Sequence, residues 1–391
     1  MLSFNPEKKN CTGCSACYAA CPLHCISMQE DQEGFLYPMA DENCIDCGLC
    51  EKICPIKKDF CVSVKQRAFA AVSKDDSIWR RSASGGAFSE ICKVWGDNKT
   101  LIVGAAWNNF SVHHIGIIGV DNIQPLCRSK YIASALEDTF QQIKEHLRYE
   151  KVIFCGTPCQ VSGLKSFLRK DYSNLLTIDL ICHGVGSPSV FQSCIDAMNK
   201  TSGKKILGYE FRAKREIYEI DHLSLLKFKN SQEYIERDPY TQLFLQQLCL
   251  RPSCGENCLY RDKQKRPGDI TIADFKGLTK VLPQLRGSYR NYSTIVLNTQ
   301  KGLDVLNGLH SFMEMHEVSI EDIIRFNPLF DHHTWFSQKR ELFFKDFTEN
   351  ASKSIQKWTT PYRTYKRSLK AKLYDYAPMF IRKIVDILLQ R

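Results

Sequence analysis

Short apolar runs separated by turn-forming residues recur between residues 68 and 275, and their spacing predicts alternating strands and helices. Ala68-Phe69-Ala70-Ala71-Val72 reads as a buried strand. Ser84 is placed to N-cap a helix over Gly86 to Trp95. Leu101 to Trp107 and Val112 to Val120 read as two strands joined by a turn at Asn108-Asn109-Phe110-Ser111, and Ile132 to Arg148 has helical spacing. Val152-Ile153-Phe154, the helical pattern Val161 to Leu168, and Leu175 to Ile181 form a strand–helix–strand unit, which requires parallel strands. Asp269 to Phe275 is a further strand. From about Lys339 the pattern changes. Trp358, Tyr362, Tyr365, Leu369, Leu373, Tyr376 and Phe380 alternate with Lys357, Arg363, Lys366, Arg367, Lys370 and Lys372. This predicts a basic amphipathic helix lying on an anionic membrane or an acidic partner, or else packed on the body.

The 391 residues suffice for two or three domains, and a hydrophobic content of 43% marks a globular chain. The net charge of +10 is uneven: residues 341–391 hold eleven Lys/Arg against five Asp/Glu, so +6 of it sits there. That distribution implies a basic tail rather than a nucleic-acid-binding body. The N-terminal Phe4 to Asn10 segment has no apolar core of a secretory signal, and no uncharged apolar run approaches a membrane span. A cytoplasmic location, with or without peripheral contact at the inner face of the membrane, is therefore expected, and the nineteen cysteines read as reduced thiols and metal ligands.

The cysteines carry the strongest chemistry. Cys11, Cys14, Cys17 and Cys21-Pro22 are spaced C-x2-C-x2-C-x3-C-P, and Cys44, Cys47, Cys50 and Cys54-Pro55 repeat the spacing. Such runs hold two 4Fe–4S cubanes, the fourth cysteine of each run ligating the other cluster. One cubane is therefore assigned to Cys11, Cys14, Cys17 and Cys54, and the other to Cys44, Cys47, Cys50 and Cys21. Zinc sites group cysteines in pairs and fit this spacing poorly. Gly34-Phe35-Leu36-Tyr37-Pro38, between the runs, suggests a hairpin arm over a cluster, while Cys25 and Cys61 read as ordinary small buried residues.

Other candidates lie in loops. The Ser84-Gly85-Gly86 turn exposes N–H groups at a helix start, which suits a phosphate or a flavin carbonyl, or simply caps the helix. Lys130 can pair with an anionic ligand or remain solvated, and His113 and His114 read as surface or packing residues. The strand–helix–strand unit brings the Cys155-Gly156-Thr157-Pro158-Cys159-Gln160 loop and Cys182-His183-Gly184 to one sheet edge, where open α/β sheets keep their ligand crevice. With Cys254 and Cys258 these thiols complete a third cubane, a zinc site, or no site at all.

Ser82-Ala83-Ser84-Gly85-Gly86, Ser129-Lys130-Tyr131, Gly156-Thr157-Pro158-Cys159-Gln160, Asp179-Leu180-Ile181-Cys182-His183-Gly184 and Asp269-Ile270-Thr271-Ile272-Ala273-Asp274-Phe275 occur in this order in a known family. Over about residues 8–310 the chain resembles the coenzyme F-420 hydrogenase/dehydrogenase beta-subunit family, in the form with an N-terminal two-cluster ferredoxin domain. Relatives include reductases of deazaflavin and of a chlorophyll derivative, and subunits of formate dehydrogenase and glutamate synthase. The resemblance implies an α+β ferredoxin-like module with two 4Fe–4S clusters, followed by an α/β flavin-binding domain with a mixed, largely parallel sheet. The expected divisions are 1–60, 61–135, 136–338 and a basic helical tail at 339–391. It implies FAD near Ser84, Gly85, Gly86, Lys130, Thr157 and Pro158, and a third 4Fe–4S cluster on Cys159, Cys182, Cys254 and Cys258. His183 is the candidate proton carrier.

The implied function is an FAD- and iron–sulfur-dependent oxidoreductase acting on an unidentified substrate, with polysaccharide synthesis as one setting, or a non-catalytic electron-transfer subunit. The implied partner is a redox protein or a deazaflavin- or flavin-type carrier, and a homo-oligomer is compatible with the sequence. The chain departs from the family at Cys254-x3-Cys258, where C-x2-C is usual, at Phe275-Lys276-Gly277 in place of Phe-Trp-Gly, and at Asn291-Tyr292-Ser293 in place of Gly-x-Ser.

Overall fold

The computed structural model describes residues 6–58, 62–214, 223–288, 290–332, 337–366 and 377–388. Cys61 and tail residues Arg367, Leu369, Lys370, Lys372, Leu373 and Tyr376 lie outside the described residues. Among the described residues no helix is long and apolar enough to cross a membrane.

The N-terminal module is built twice. Helices α1 (Ala16–Ala20) and α2 (Leu49–Ile53) each contain the third cysteine of a run, Cys17 and Cys50, and a cysteine C-cap, the fourth, ends each of them. Between the two runs, β1 (Ile26–Glu30) and β2 (Leu36–Ala40) form an antiparallel hairpin, as the apolar arm predicted. Phe35 at its turn is fully buried against the body of the protein.

An eight-stranded mixed sheet forms the body. Its strands are β3 (Arg67–Ser73), β4 (Leu101–Asn108), β5 (Ser111–Ile118), β6 (Val152–Cys155), β7 (Leu175–Leu180), β11 (Ile270–Asp274), β12 (Ser293–Leu297) and β13 (Met313–Val318). The spatial order is β13-β3-β12-β11-β7-β6-β4-β5. The central four, β11-β7-β6-β4, are parallel, and antiparallel pairs flank them on both sides. The parallel pairing of β6 with β7 is the one the strand–helix–strand pattern predicted.

Alternate residues of the strands feed two faces. Near one end of the sheet, α3 (Asp76–Arg81) buries Trp79 with Ala70 and Val72 of β3. Ile102, Ile153 and Ile178 pack on one face with Ile91 and Leu309, whereas Val103, Val152 and Phe154 pack on the other with Phe140, Leu164 and Ala16. The helices responsible are α4 (Ala87–Trp95) on the first face, and α5 (Thr139–His146) and α6 (Pro158–Leu168) on the second.

Three local expectations are corrected. Ser84 does not cap α4: Gly86 does, with φ +93°, a conformation that costs glycine little. The helix expected from Ile132 is confined to Thr139–His146, because residues 132–136 are taken up as an extended edge. There Ala135 N donates to Val112 O (2.9 Å), His114 N to Ala135 O (2.8 Å) and Ala133 N to Gly186 O (2.9 Å). The helix expected from Val161 starts at Pro158, so Cys159 stands in its first turn.

Residues 188–250 carry structure the apolar pattern did not announce. A long helix, α7 (Pro188–Ser202), precedes a small antiparallel sheet of β8 (Gly208–Glu210), β9 (Ser224–Lys227) and β10 (Gln232–Glu236), and α8 (Pro239–Leu245) follows. The start of the tail closes this unit. Phe343, Phe347 and Ile355, on helices Arg340–Glu349 and Ala351–Trp358, are buried with Phe191 and Tyr240. Trp358 Nε1 donates to Asp346 (2.7 Å), and β14 (Arg363–Thr364) pairs with β10. This part of the tail therefore packs on the body. The later helix Met379–Leu388 exposes Met379, Phe380, Ile384 and Leu388.

Candidate metal centres and cofactor cavity

The two cysteine runs share one backbone template. Gly13 and Asp46 occupy the position before the second cysteine, and Ser15 and Gly48 the position after it. All four have positive φ (67°, 50°, 59° and 69°). Left-handed residues alternating with right-handed ones turn successive N–H groups inward, a concavity suited to anionic sulfur. The fold then crosses the runs over. Cys11, Cys14, Cys17 and Cys54 line one cavity, while Cys44, Cys47, Cys50 and Cys21 line the other. Both foursomes expected from the sequence are thus brought together. They differ in depth, because Cys11 and Cys14 are buried whereas Cys47 is exposed. Burial pushes the Cys14 thiol up to about 12, and nearby Cys11, Cys159 and Cys54 add to the effect.

The third set is also assembled. Cys182 lies within electrostatic reach of Cys254, Cys159 and Cys258, and Cys254 within reach of Cys258 and Cys159. Burial pushes the Cys254 thiol up to about 12 and raises Cys182 and Cys159 as well. Buried sulfurs that repel one another as thiolates are a donor set that iron cations stabilise. Thiolates on a cubane each meet a different iron, and four convergent cysteines can supply them.

Helix α6 links this set to the first. Cys159 stands in its first turn, and Gly163 one turn later abuts Cys14 of the first set. A Cβ at Gly163 would stand 2.9 Å from Cys14 Cβ and 3.0 Å from its sulfur. Arg251, 3% exposed, touches elements of both sets. Its Nε donates to Cys11 O (2.9 Å), its Nη2 donates to Leu36 O (2.7 Å), and its guanidinium lies 4.3 Å from the Tyr37 ring centre. It is also an electrostatic neighbour of Cys159 and Cys254. The loops of the third set are cross-tied by the buried pair Arg266–Asp179.

A cavity of about 370 Å³ opens beyond the third set at the carboxyl ends of β6, β7 and β11. Ser84, Gly86, Lys130, Thr157, Cys182, His183 and Gly184 line it, whereas Gly85 and Pro158 do not reach its surface. The Ser84 hydroxyl donates to Tyr292 O (2.7 Å), and Gly85 N donates to Ser293 Oγ (2.9 Å). Lys130 Nζ donates to the carbonyls of Cys127 (2.6 Å) and Pro125 (3.0 Å), and burial lowers its ammonium to about 8. Thr157 N donates to Gln160 Oε1 (2.9 Å), which fixes the turn before Cys159. The His183 ring stands with Nε2 3.3 Å from Phe244 O, and burial favours its neutral form.

Sequence reasoning missed two groups on this wall. His114 is buried, and burial lowers it to about 4; its Nδ1 meets Ser134 Oγ at 2.9 Å and its Nε2 meets Cys155 O at 3.2 Å. The alternation that buries Val112 also turns His114 inward, a signal that was available. Arg212, paired with Asp274, also lines the cavity. It comes from a segment with no motif.

Two family models match parts of the chain. Residues 149–325 match the family model for the C terminus of the coenzyme F420 hydrogenase/dehydrogenase beta subunit, and residues 10–58 match the 4Fe-4S dicluster domain. No curated protein matches the chain. Among solved structures, a chain of the F420-reducing NiFe hydrogenase complex from Methanosarcina barkeri, obtained by xenon derivatization, is similar at 14% identity and a TM-score of 0.41. The match covers 78% of this chain and 92% of that one.

Proposed function

Because the chain belongs to the coenzyme F420 hydrogenase/dehydrogenase beta-subunit family, with an N-terminal 4Fe-4S dicluster domain, it is an iron–sulfur electron-transfer protein of the oxidoreductase class, and we propose that it serves FAD chemistry in the cavity. The observation that carries this reading is the shared turn Cys182-His183-Gly184, which belongs both to the third thiol set and to the cavity wall. Bound in these places, 4Fe–4S clusters supply one-electron steps and FAD supplies the conversion to two-electron chemistry.

The chain's own residues give the sites their order. Cys21, Cys44, Cys47 and Cys50 hold the outer position, where Cys47 is exposed to a partner. Cys11, Cys14, Cys17 and Cys54 hold the middle one, and Cys159, Cys182, Cys254 and Cys258 the inner one. Gly86 and the start of α4 line the cavity where an anionic or carbonyl-bearing ligand would sit, beside Lys130 and Thr157, whose donors are held by Pro125, Cys127 and Gln160. His183 donates Nε2–H to Phe244 O, which leaves Nδ1 as the atom that accepts a proton. The expected partner at the outer face is a one-electron protein carrier, and the cavity would take a flavin together with a second, hydride-accepting molecule.

Anaerobic purification followed by acid release of cofactors tests the reading. About twelve irons and one FAD per chain are expected. Iron without flavin would reduce the protein to a relay subunit, and colourless protein would remove the iron–sulfur assignment.

A further inference from the structure

The outer thiol set contains one sulfur more than a cubane can use. Cys25 lines the same cavity as Cys21, Cys44, Cys47 and Cys50, and it is 5% exposed. Its sulfur lies 3.3 Å from that of Cys21, side by side on one wall. The chain is bent to achieve this. His24 N donates to Cys21 O (3.2 Å), and His24 takes φ +52°, which an ordinary side chain rarely adopts. Asp41 N then holds Cys25 O at 2.9 Å, at the base of the hairpin. The repeated run lacks the feature: four residues after Cys54 stands Lys58, not cysteine. Among the described residues, the cavity of Cys11, Cys14, Cys17 and Cys54 has no fifth thiol on its wall.

We propose that Cys25 is a reserve ligand for the outer 4Fe–4S cluster, able to take the iron that Cys21 holds. In the exchange the Fe–S bond to Cys21 breaks and one to Cys25 forms. The Cys25 proton passes to the released Cys21 sulfur, and no electron is gained or lost. Both sulfurs come from one five-residue loop, so the swap needs side-chain rotation and little backbone movement. The outer site, the one nearest solvent and oxidants, thereby tolerates the loss of one ligand. The proposal rests on the N-terminal thiol sets holding clusters, and not on the cavity binding FAD.

The test uses the full chain, purified anaerobically, with iron content and the electron paramagnetic resonance spin count of the dithionite-reduced protein as readouts. Cys21→Ala should keep the wild-type iron count with an altered resonance line shape, and Cys25→Ala should match wild type in both. The double variant Cys21→Ala/Cys25→Ala should lose about four irons per chain. Cys54→Ala, whose counterpart to Cys25 is Lys58, should lose its cluster outright. If Cys21→Ala alone lost as much iron as the double variant, the proposal would be overturned. A wild-type protein without the two N-terminal clusters would instead refute the reading on which the proposal rests.

Discussion

Removing the Arg266 guanidinium should destabilise the whole body of the protein. Arg266 Nη2 donates to Asp179 Oδ1 (2.7 Å) and Leu180 O (2.6 Å), and Nη1 donates to Tyr260 O (2.8 Å). The two side chains are 1% and 0% exposed. Asp179 lies three residues before Cys182, and Arg266 eight after Cys258, so the pair ties together the two segments that carry the third thiol set. In Arg266→Met the Asp179 carboxylate keeps only its bonds from Gly268 N (2.9 Å) and Thr271 Oγ1 (2.6 Å). Leaving a buried charge without its counter-ion costs about 3–5 kcal/mol. For a chain of 391 residues the unfolding entropy is roughly 0.8 kcal/mol per degree, so the melting temperature should fall by roughly 4–6 °C. Anaerobic thermal denaturation followed by circular dichroism measures this directly. The double variant Arg266→Met/Asp179→Leu should recover part of the loss, because it leaves no unpaired charge. A single variant melting within about 1 °C of wild type would show that the pair contributes little, and the reasoning would fail.

Three further outcomes follow from the same geometry. Gly163→Val should displace Cys14 and lower the iron content by about four per chain; wild-type iron would mean that α6 does not limit the space of the first set. Arg251→Met removes a buried positive charge that favours the reduced, more negative state of a neighbouring cluster. The midpoint potential should therefore fall by roughly 90 mV for a charge about 8 Å away at an effective dielectric of about 20, and an unchanged or raised value in a redox titration would contradict it. His114 is held neutral in the fold, with its value lowered from 6.5 to about 4. The unfolded chain takes up the proton first as pH falls through 6.5, so stability is lost from there down to about pH 4, by on the order of 3 kcal/mol. His114→Gln should flatten that acid limb in melting temperature against pH, and equal slopes in variant and wild type would rule His114 out as its source.

Local spacing was legible in the sequence where chemistry depends on neighbours along the chain. The two cysteine runs, the hairpin between them and the β6–α6–β7 unit each follow from a repeat or a period. What depends on distant residues was less legible. Residues 132–136 have helical spacing, but Val112, His114 and Gly186 offer them backbone partners, and the sheet edge wins. The small sheet of β8, β9 and β10 is short and charged, so it gives no alternating signal of its own. Cys25 looked like an ordinary buried thiol because nothing in its spacing reveals the turn at His24 that returns it to the outer cavity. The convergence of Cys159, Cys182, Cys254 and Cys258 came from family resemblance, since separated cysteines carry no distance information.

The three thiol sets are not independent insertions on a scaffold, because single elements serve two of them. Helix α6 offers Cys159 to the third set and, one turn later, the absence of a side chain at Gly163 to the first. Arg251 binds the Cys11 carbonyl while lying near Cys159 and Cys254. The turn at Cys182 closes the third set and forms the wall of the cavity. A shift in any of these elements would change two spacings together. Under the proposed reading, where electron transfer between centres depends steeply on separation, such sharing keeps the series in register without a separate device for each gap. Depth follows the same order: Cys47 of the outer set is exposed, Cys11 and Cys14 of the middle set are buried, and the inner set adjoins the cavity. Under the proposed reading a partner meets the protein at the exposed outer set, and proton-coupled chemistry at His183 takes place at the other end, in the cavity.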